Sequence, residues 1–192
     1  VLDEIHEQSK NLYTLMAYLK HDVLPQRPDL RLVLMSATGN MQQVSQYFNN
    51  APITYIQGTM YPVRTLYRGE VPDVCERAIQ EVVQIHKARV PGDVLVFLPG
   101  EADIKAVVTA IEEQSLPELT VLPLYAALSS HEQKAVFEKT EHRKIVVATK
   151  IARTSLTIDG IVYVIDSGLE KIRRYDPSTG LSSLDTVQIS QD

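Results

Sequence analysis

The chain has 192 residues, 44% of them hydrophobic and 22% charged, with a formal charge of −5 and one cysteine, Cys75. This is an ordinary globular composition. It excludes an internal disulfide, and no apolar run approaches the roughly 18 residues of a membrane span. The acidic balance argues against nucleic-acid binding by bulk electrostatics, but Arg143, Lys144, Lys150, Arg153, Lys171, Arg173 and Arg174 crowd one stretch and leave room for a local basic face.

In chain order, Val1-Leu2 reads as the end of a strand, followed at once by Asp3-Glu4-Ile5-His6. Leu12, Leu15, Met16 and Leu19 make a helical stripe. Leu32-Val33-Leu34-Met35 reads as a strand running into Ser36-Ala37-Thr38, and Ile53-Thr54-Tyr55-Ile56 as another. Gly58 and Pro62 then interrupt the pattern. Residues 1–62 hold too few strands to close a core, whereas 63–192 read as a nearly complete second domain. In that part Cys75, Ala78, Ile79, Val82, Val83 and His86 form one helical stripe, and Ile104, Val107, Val108 and Ile111 another. Cys75 thus reads as a small core residue rather than a nucleophile. Strands are expected at Val94-Leu95-Val96-Phe97-Leu98, Val121-Leu122-Pro123-Leu124, Ile145-Val146-Val147-Ala148 and Ile161-Val162-Tyr163-Val164-Ile165. Several are continuous apolar runs, the pattern of strands covered on both faces of a parallel sheet. Their alternation with helices predicts an α/β fold built from right-handed βαβ units. The cluster Asp176-Pro177-Ser178-Thr179-Gly180 lies between two extended arms and predicts a β-hairpin over 169–189.

Ligands of open α/β sheets bind outside the carboxyl ends of strands, where Asp3-Glu4 and Ser36-Ala37-Thr38 would both lie. One acid could hold Mg²⁺ and the other orient an attacking water. The hydroxyls could bond to the acids or to His6. An isolated Asp-Glu is more often a solvated helix start; the pairing with Ser-Ala-Thr about thirty residues on gives it weight. Residues 148–160 place Thr149, Lys150, Arg153, Thr154, Ser155 and Thr157 after another strand. Such a junction suits phosphate, with ordinary helix capping as the plain alternative. No G-x-x-x-x-G-K-[ST] phosphate loop occurs in the sequence. His21, His86, His131 and His142 lack zinc-type spacing, and His86 is expected on the inner face of its helix.

Taken together, the sequence resembles the DEAH-box family of RNA helicases, superfamily 2. Asp3-Glu4-Ile5-His6 matches motif II and Ser36-Ala37-Thr38 motif III. Residues 94–100 match the motif IV region, Leu124-Tyr125-Ala126-Ala127-Leu128 with Gln133 the next motif, and 148–160 motif V. The stretches at 24–30 and 48–52 look most like bacterial members. The resemblance implies parallel-sheet RecA-like domains: the end of the first over 1–62, then most of the second with its hairpin over 63–192. It implies ATP and Mg²⁺ as cofactors, Asp3 and Glu4 at the metal, and Glu4 activating water. His6 would sense the nucleotide, and Ser36 and Thr38 would couple hydrolysis to strand separation. Phe137 would stack on the base and Asp159 lie near the ribose. Thr149, Lys150, Arg153 and Thr154 would face single-stranded RNA, and the hairpin would act as a wedge.

The sequence departs from the family at Gln8, where Arg is usual, and at Lys150 and Arg153, where motif V carries Asn and Glu. The phosphate loop is expected before residue 1 and the Arg-rich motif VI after 192. The chain is therefore expected to be an internal helicase segment, inactive alone, or the product of a degraded gene. Losing an arginine finger costs on the order of 10³–10⁵ in rate in related phosphoryl transfer. RNA and an activator protein are the expected partners, with no membrane. The lone cysteine fits a reducing compartment, cytoplasmic or, in a eukaryote, nuclear. The competing reading is a non-catalytic module that holds RNA or protein through Lys150, Arg153 and the 171–174 cluster; a DNA helicase is a third.

Overall fold

A computed structural model describes residues 1–7, 9–37, 41–56, 58, 61–150 and 157–189. The chain divides into two compact units, Val1–Thr65 and Leu66–Asp192.

In the first unit, two strand stubs run parallel. Leu2 pairs with Leu34, through Leu2 N–H to the Val33 carbonyl and Met35 N–H to the Leu2 carbonyl, both 2.8 Å. Ile5 N–H donates to the Met35 carbonyl at 3.1 Å and opens a single 3₁₀ turn, Ile5–Glu7. Helix α1 (Lys10–Tyr18) starts where the Ser9 hydroxyl accepts from Leu12 N–H at 3.2 Å, an N-cap that satisfies an otherwise orphan donor. The helix widens into a π turn, Leu19–Val23, and ends with α2 (Leu24–Gln26). It stops there because Arg27 precedes Pro28, whose ring disfavours helical backbone in the residue before it. Helix α3 covers Met41–Tyr47. Of this unit's described apolar side chains only Ile5 and Met16 are buried. The expected strand over 32–35 is reduced to the Leu34 bridge, and residues 53–56 form none. Nothing in the described residues pairs with 53–56, and an extended segment without a neighbour has no ladder to join; Tyr55 and Ile56 are exposed instead.

The second unit begins with α4 (Val74–Lys87), capped by Asp73, whose carboxylate accepts from Cys75 and Glu76 N–H. Then come β1 (Asp93–Phe97), α5 (Glu101–Glu113), β2 (Leu119–Leu124), α6 (Ser130–Ala135), β3 (Arg143–Ala148) and β4 (Ile161–Asp166). The strands form one parallel sheet in the order β2-β3-β1-β4. The period-2 alternation of strand side chains sorts the apolar runs into two cores. Val94, Val96, Ile145 and Val147 pack with Ala78 and Val82 of α4 and Ile104, Val107 and Ile111 of α5. Leu95, Phe97, Val146 and Ala148 pack on the opposite face with Leu124, Val136 and Ile158. Two-faced coverage therefore holds for the interior strands β1 and β3. It fails for the outer strand β4, where Tyr163 and Ile165 join the first core but Val162 and Val164 are exposed.

Strands β5 (Leu169–Asp176) and β6 (Leu181–Gln188) form the expected antiparallel hairpin. The Asp176 carboxylate closes its turn by accepting from Ser178 N–H and hydroxyl at 2.9 and 2.6 Å. Where the hairpin meets the sheet, the Lys171 ammonium lies close over Gly100: a Cβ there would sit 2.4 Å from Lys171 Nζ, the free end of a side chain that can swing aside.

Candidate functional site

The parallel Leu2–Leu34 bridge sends both stubs the same way, so the acid pair and the Ser-Ala-Thr segment leave adjacent carboxyl ends. Asp3 is exposed, its Oδ1 accepting from Glu4 N–H at 2.8 Å. Glu4 takes a left-handed backbone, φ 55°, uncommon for a residue with a Cβ. Its Oε2 lies 3.1 Å from His6 Nε2, and His6 Nδ1 lies 3.3 Å from Ser36 Oγ. A carboxylate only accepts, so Nε2 carries the proton toward Glu4. In the neutral ring Nδ1 then accepts from the Ser36 hydroxyl. The ring cannot turn without losing a contact, and one oxygen of the Glu4 carboxylate is tied to it. Among the described residues no three His, Cys, Asp or Glu side chains gather as a ready metal site. Mg²⁺ usually takes only one or two protein carboxylates, with phosphates and water filling the rest, and an exposed Asp3 fits that share. Gln8 and Thr38 lie outside the described residues.

In the second unit the expected residues fall on two edges of the sheet. Thr149 and Lys150 follow β3 at its carboxyl end, where Thr149 N–H donates to the Leu124 carbonyl at 3.1 Å. Lys150 Nζ meets Glu170 Oε2 at 3.1 Å, a partner that the sequence reading missed. Arg153 and Thr154 lie outside the described residues. Phe137 and Asp159 sit at the opposite edge. Both are exposed, and each follows a residue of the same core, Val136 and Ile158. The base and ribose residues implied by the resemblance are thus carried on neighbouring buried anchors.

Among the described residues, most of the crowded cations are engaged by partners rather than presented together as the basic face for which the sequence left room. Arg143 and Lys144 turn inward: Arg143 donates to the Ile85 and Val90 carbonyls, and Lys144 to those of Val136 and Glu138. Lys171 faces Asp103 and Arg174 faces Asp185, each at 3.8 Å. Among the described residues of this group only Arg173 has no such partner. The signal was present: Arg143-Lys144 directly precedes a continuous apolar strand, where alternate side chains enter covered faces.

A parallel four-stranded α/β sheet with an appended hairpin is the architecture of a RecA-like helicase domain. The helicase conserved C-terminal domain family matches residues 76–185. Over the whole chain, 43% of positions are identical to the ATP-dependent RNA helicase HrpA of Escherichia coli. The pre-mRNA-splicing factor ATP-dependent RNA helicase prp22 of Schizosaccharomyces pombe is also 43% identical. The probable ATP-dependent RNA helicase DHR2 of Saccharomyces cerevisiae is 39% identical. The chain belongs to the DEAH-box RNA helicase family. It spans 15%, 17% and 28% of the length of these three relatives. A bacterial and a eukaryotic member match equally well, so identity favours neither branch.

Proposed function

We propose that the chain is the part of an ATP-dependent RNA helicase that runs from the hydrolytic acids to the hairpin. Residues 1–62 would belong to its first RecA-like domain and 63–192 to its second. The observation that carries the reading is the contact series Glu4–His6–Ser36, which joins two strand ends through one imidazole. Glu4 accepts a proton from the attacking water, His6 fixes its carboxylate, and Ser36 fixes the ring. Asp3, with Glu4 beside it, would hold Mg²⁺, which when bound neutralises phosphate charge. Phe137 stacks on the adenine and Asp159 bonds the ribose. Thr149, Lys150, Arg153 and Thr154 face the RNA backbone, while Thr38 helps couple hydrolysis to unwinding. Lys150 must exchange Glu170 for a phosphate to do so, which makes RNA binding at that point salt-sensitive. The non-catalytic reading leans on Lys150, Arg153 and the cations at 171–174, and the pairing of Lys171 and Arg174 with acids weakens it.

No phosphate loop stands in the 192 residues, so the chain alone should turn over ATP negligibly, and robust RNA-stimulated hydrolysis by it would refute this part. The positive test exchanges the chain into the matching segment of the Escherichia coli relative. RNA-stimulated ATPase and unwinding should survive, and Glu4→Gln should lower kcat by about 10²–10⁴-fold, the range for a lost general base. An exchanged protein that binds RNA but hydrolyses equally well with the Glu4→Gln change would overturn the assignment.

A further inference from the structure

We infer that Lys144 is a positioning residue that presents Phe137 as a fixed platform, an inference that rests on Phe137 as the base-stacking residue. Lys144 is 2% exposed, and burying an ammonium is costly unless it is paired and hydrogen-bonded. No carboxylate pairs with it among the described residues. It spends its donors on two carbonyls, Val136 at 2.8 Å and Glu138 at 3.1 Å. These are the carbonyls on either side of Phe137.

The geometry accounts for the cost. Helix α6 ends at Ala135 with Val136 as its C-cap, and the carboxyl end of a helix carries partial negative charge that favours a cation. Phe137 N–H donates to the Lys134 carbonyl at 3.0 Å, and Glu138 N–H to that of Ala135 at 3.2 Å. The amides of Phe137 and Glu138 and the carbonyls of Val136 and Glu138 are therefore all engaged. Val136 is fully buried while the next side chain, Phe137, is 42% exposed. A Met or Leu in place of Lys144 would fill the same space, but it would leave these two carbonyls without their donor and the turn free to fray. The β3 backbone at Lys144 is itself pinned, its N–H donating to Asp93 Oδ1 at 2.9 Å. The platform is thereby tied through Lys144 to the two central strands. An aromatic ring on a fixed turn binds a flat partner without having to order its own backbone first, which reduces the cost of association.

The chain contains no tryptophan, so Phe137→Trp supplies a single indole reporter at the platform. In that background Lys144→Met should lower the fluorescence anisotropy of the indole and raise its acrylamide quenching at least twofold in the folded chain, and Lys144→Arg should restore most of the difference. A purely stabilising Lys144 would lower the urea midpoint and leave the mobility of the indole unchanged, which would overturn the inference. Should Lys144→Met fail to fold, the unsubstituted chain decides by NMR. A slowly exchanging Lys144 ammonium signal with a rigid 137–138 backbone supports the clamp, and order parameters below about 0.6 there refute it. ATP use by the Escherichia coli relative carrying this segment separates the two ideas: Phe137→Ala there should raise the KM for ATP, and an unchanged KM counts against the base-stacking role, while the mobility result still judges Lys144.

Discussion

Arg143 and Lys144, adjacent at the start of β3, reach opposite faces of the sheet, and each serves the carboxyl end of a different helix. The Arg143 guanidinium takes the Ile85 carbonyl of α4 at 2.9 Å, and the Lys144 ammonium takes the Val136 carbonyl that ends α6 at 2.8 Å. One dipeptide thus fastens both helical layers to a central strand. Arg143→Met should lower the stability of the second unit by about 1.5–3 kcal/mol, the scale for hydrogen bonds from a charged donor. Arg173→Met should change it by less than about 0.5 kcal/mol, as for a surface substitution. Urea unfolding followed by circular dichroism compares the two; equal effects would show that Arg143 carries no such load.

The second unit was legible in the sequence because each of its strands finds partners within the chain. The runs at 94–98, 121–124, 145–148 and 161–165 all became strands, and both helical stripes became α4 and α5. The run at 53–56 has the same β-branched and aromatic character, yet it lies unpaired and exposed. Composition reports a preference for extended backbone; only a neighbouring strand turns it into a ladder. At the site, the contact of Ser36 with His6 followed from placing both on adjacent strand ends. The pairings of Lys150 with Glu170 and Lys171 with Asp103 did not, because they depend on where the hairpin folds back. The inward turn of Arg143 and Lys144 was not read for a related reason, since charge suggests solvent until the strand period is applied to them.

Acid should loosen the start of α6 only at a pH below that at which ordinary carboxylates take up protons. The Ser129 hydroxyl and N–H both hold the Glu132 carboxylate, at 2.6 and 2.8 Å, and these bonds keep its pKa below the ordinary carboxylate value. A group depressed in the folded state contributes stability that is fully present above its unfolded pKa. That contribution is lost as pH falls through the folded value. NMR of the Ser129 and Glu132 amides should therefore show the cap loosening only below the usual glutamate range, and Glu132→Gln should remove this pH dependence. Persistence of the same titration in the Gln variant would place its origin elsewhere.

Cys75 should behave as a core thiol. It packs against the α4–α5 core, and burial, reinforced by the nearby Asp103 and Asp73 carboxylates, raises its pKa. The thiolate is the reactive form, so labelling by a disulfide reagent at pH 8 should be at least about tenfold slower in the folded chain than in urea. The sign for stability is the reverse of that for Glu132. The folded chain holds the proton more tightly, so stability declines as pH rises above the unfolded thiol value. Cys75→Ser should flatten that alkaline decline, and a folded-state labelling rate equal to that in urea would remove the burial argument.

Hydrogen exchange should divide the chain unevenly. Val94, Val96, Ile145, Val146 and Val147 are fully buried in strands that each pair on both sides, and backbone amides in such strands open only through large-scale unfolding. The first unit offers, among its described residues, one bridge between Leu2 and Leu34 and two buried apolar side chains, so its amides need only local opening to exchange. Amides of β1 and β3 should therefore exchange at least about 10³-fold more slowly than those of residues 1–56, the factor expected for a difference of roughly 4 kcal/mol in opening free energy. Within the first unit, α1 should protect best near Met16, its one buried side chain. Comparable protection in both units would mean that the acid pair and His6 rest on a firmer scaffold than their burial indicates. Ser36→Ala should then loosen the amides of Ile5 and His6 no more than it does those of β1.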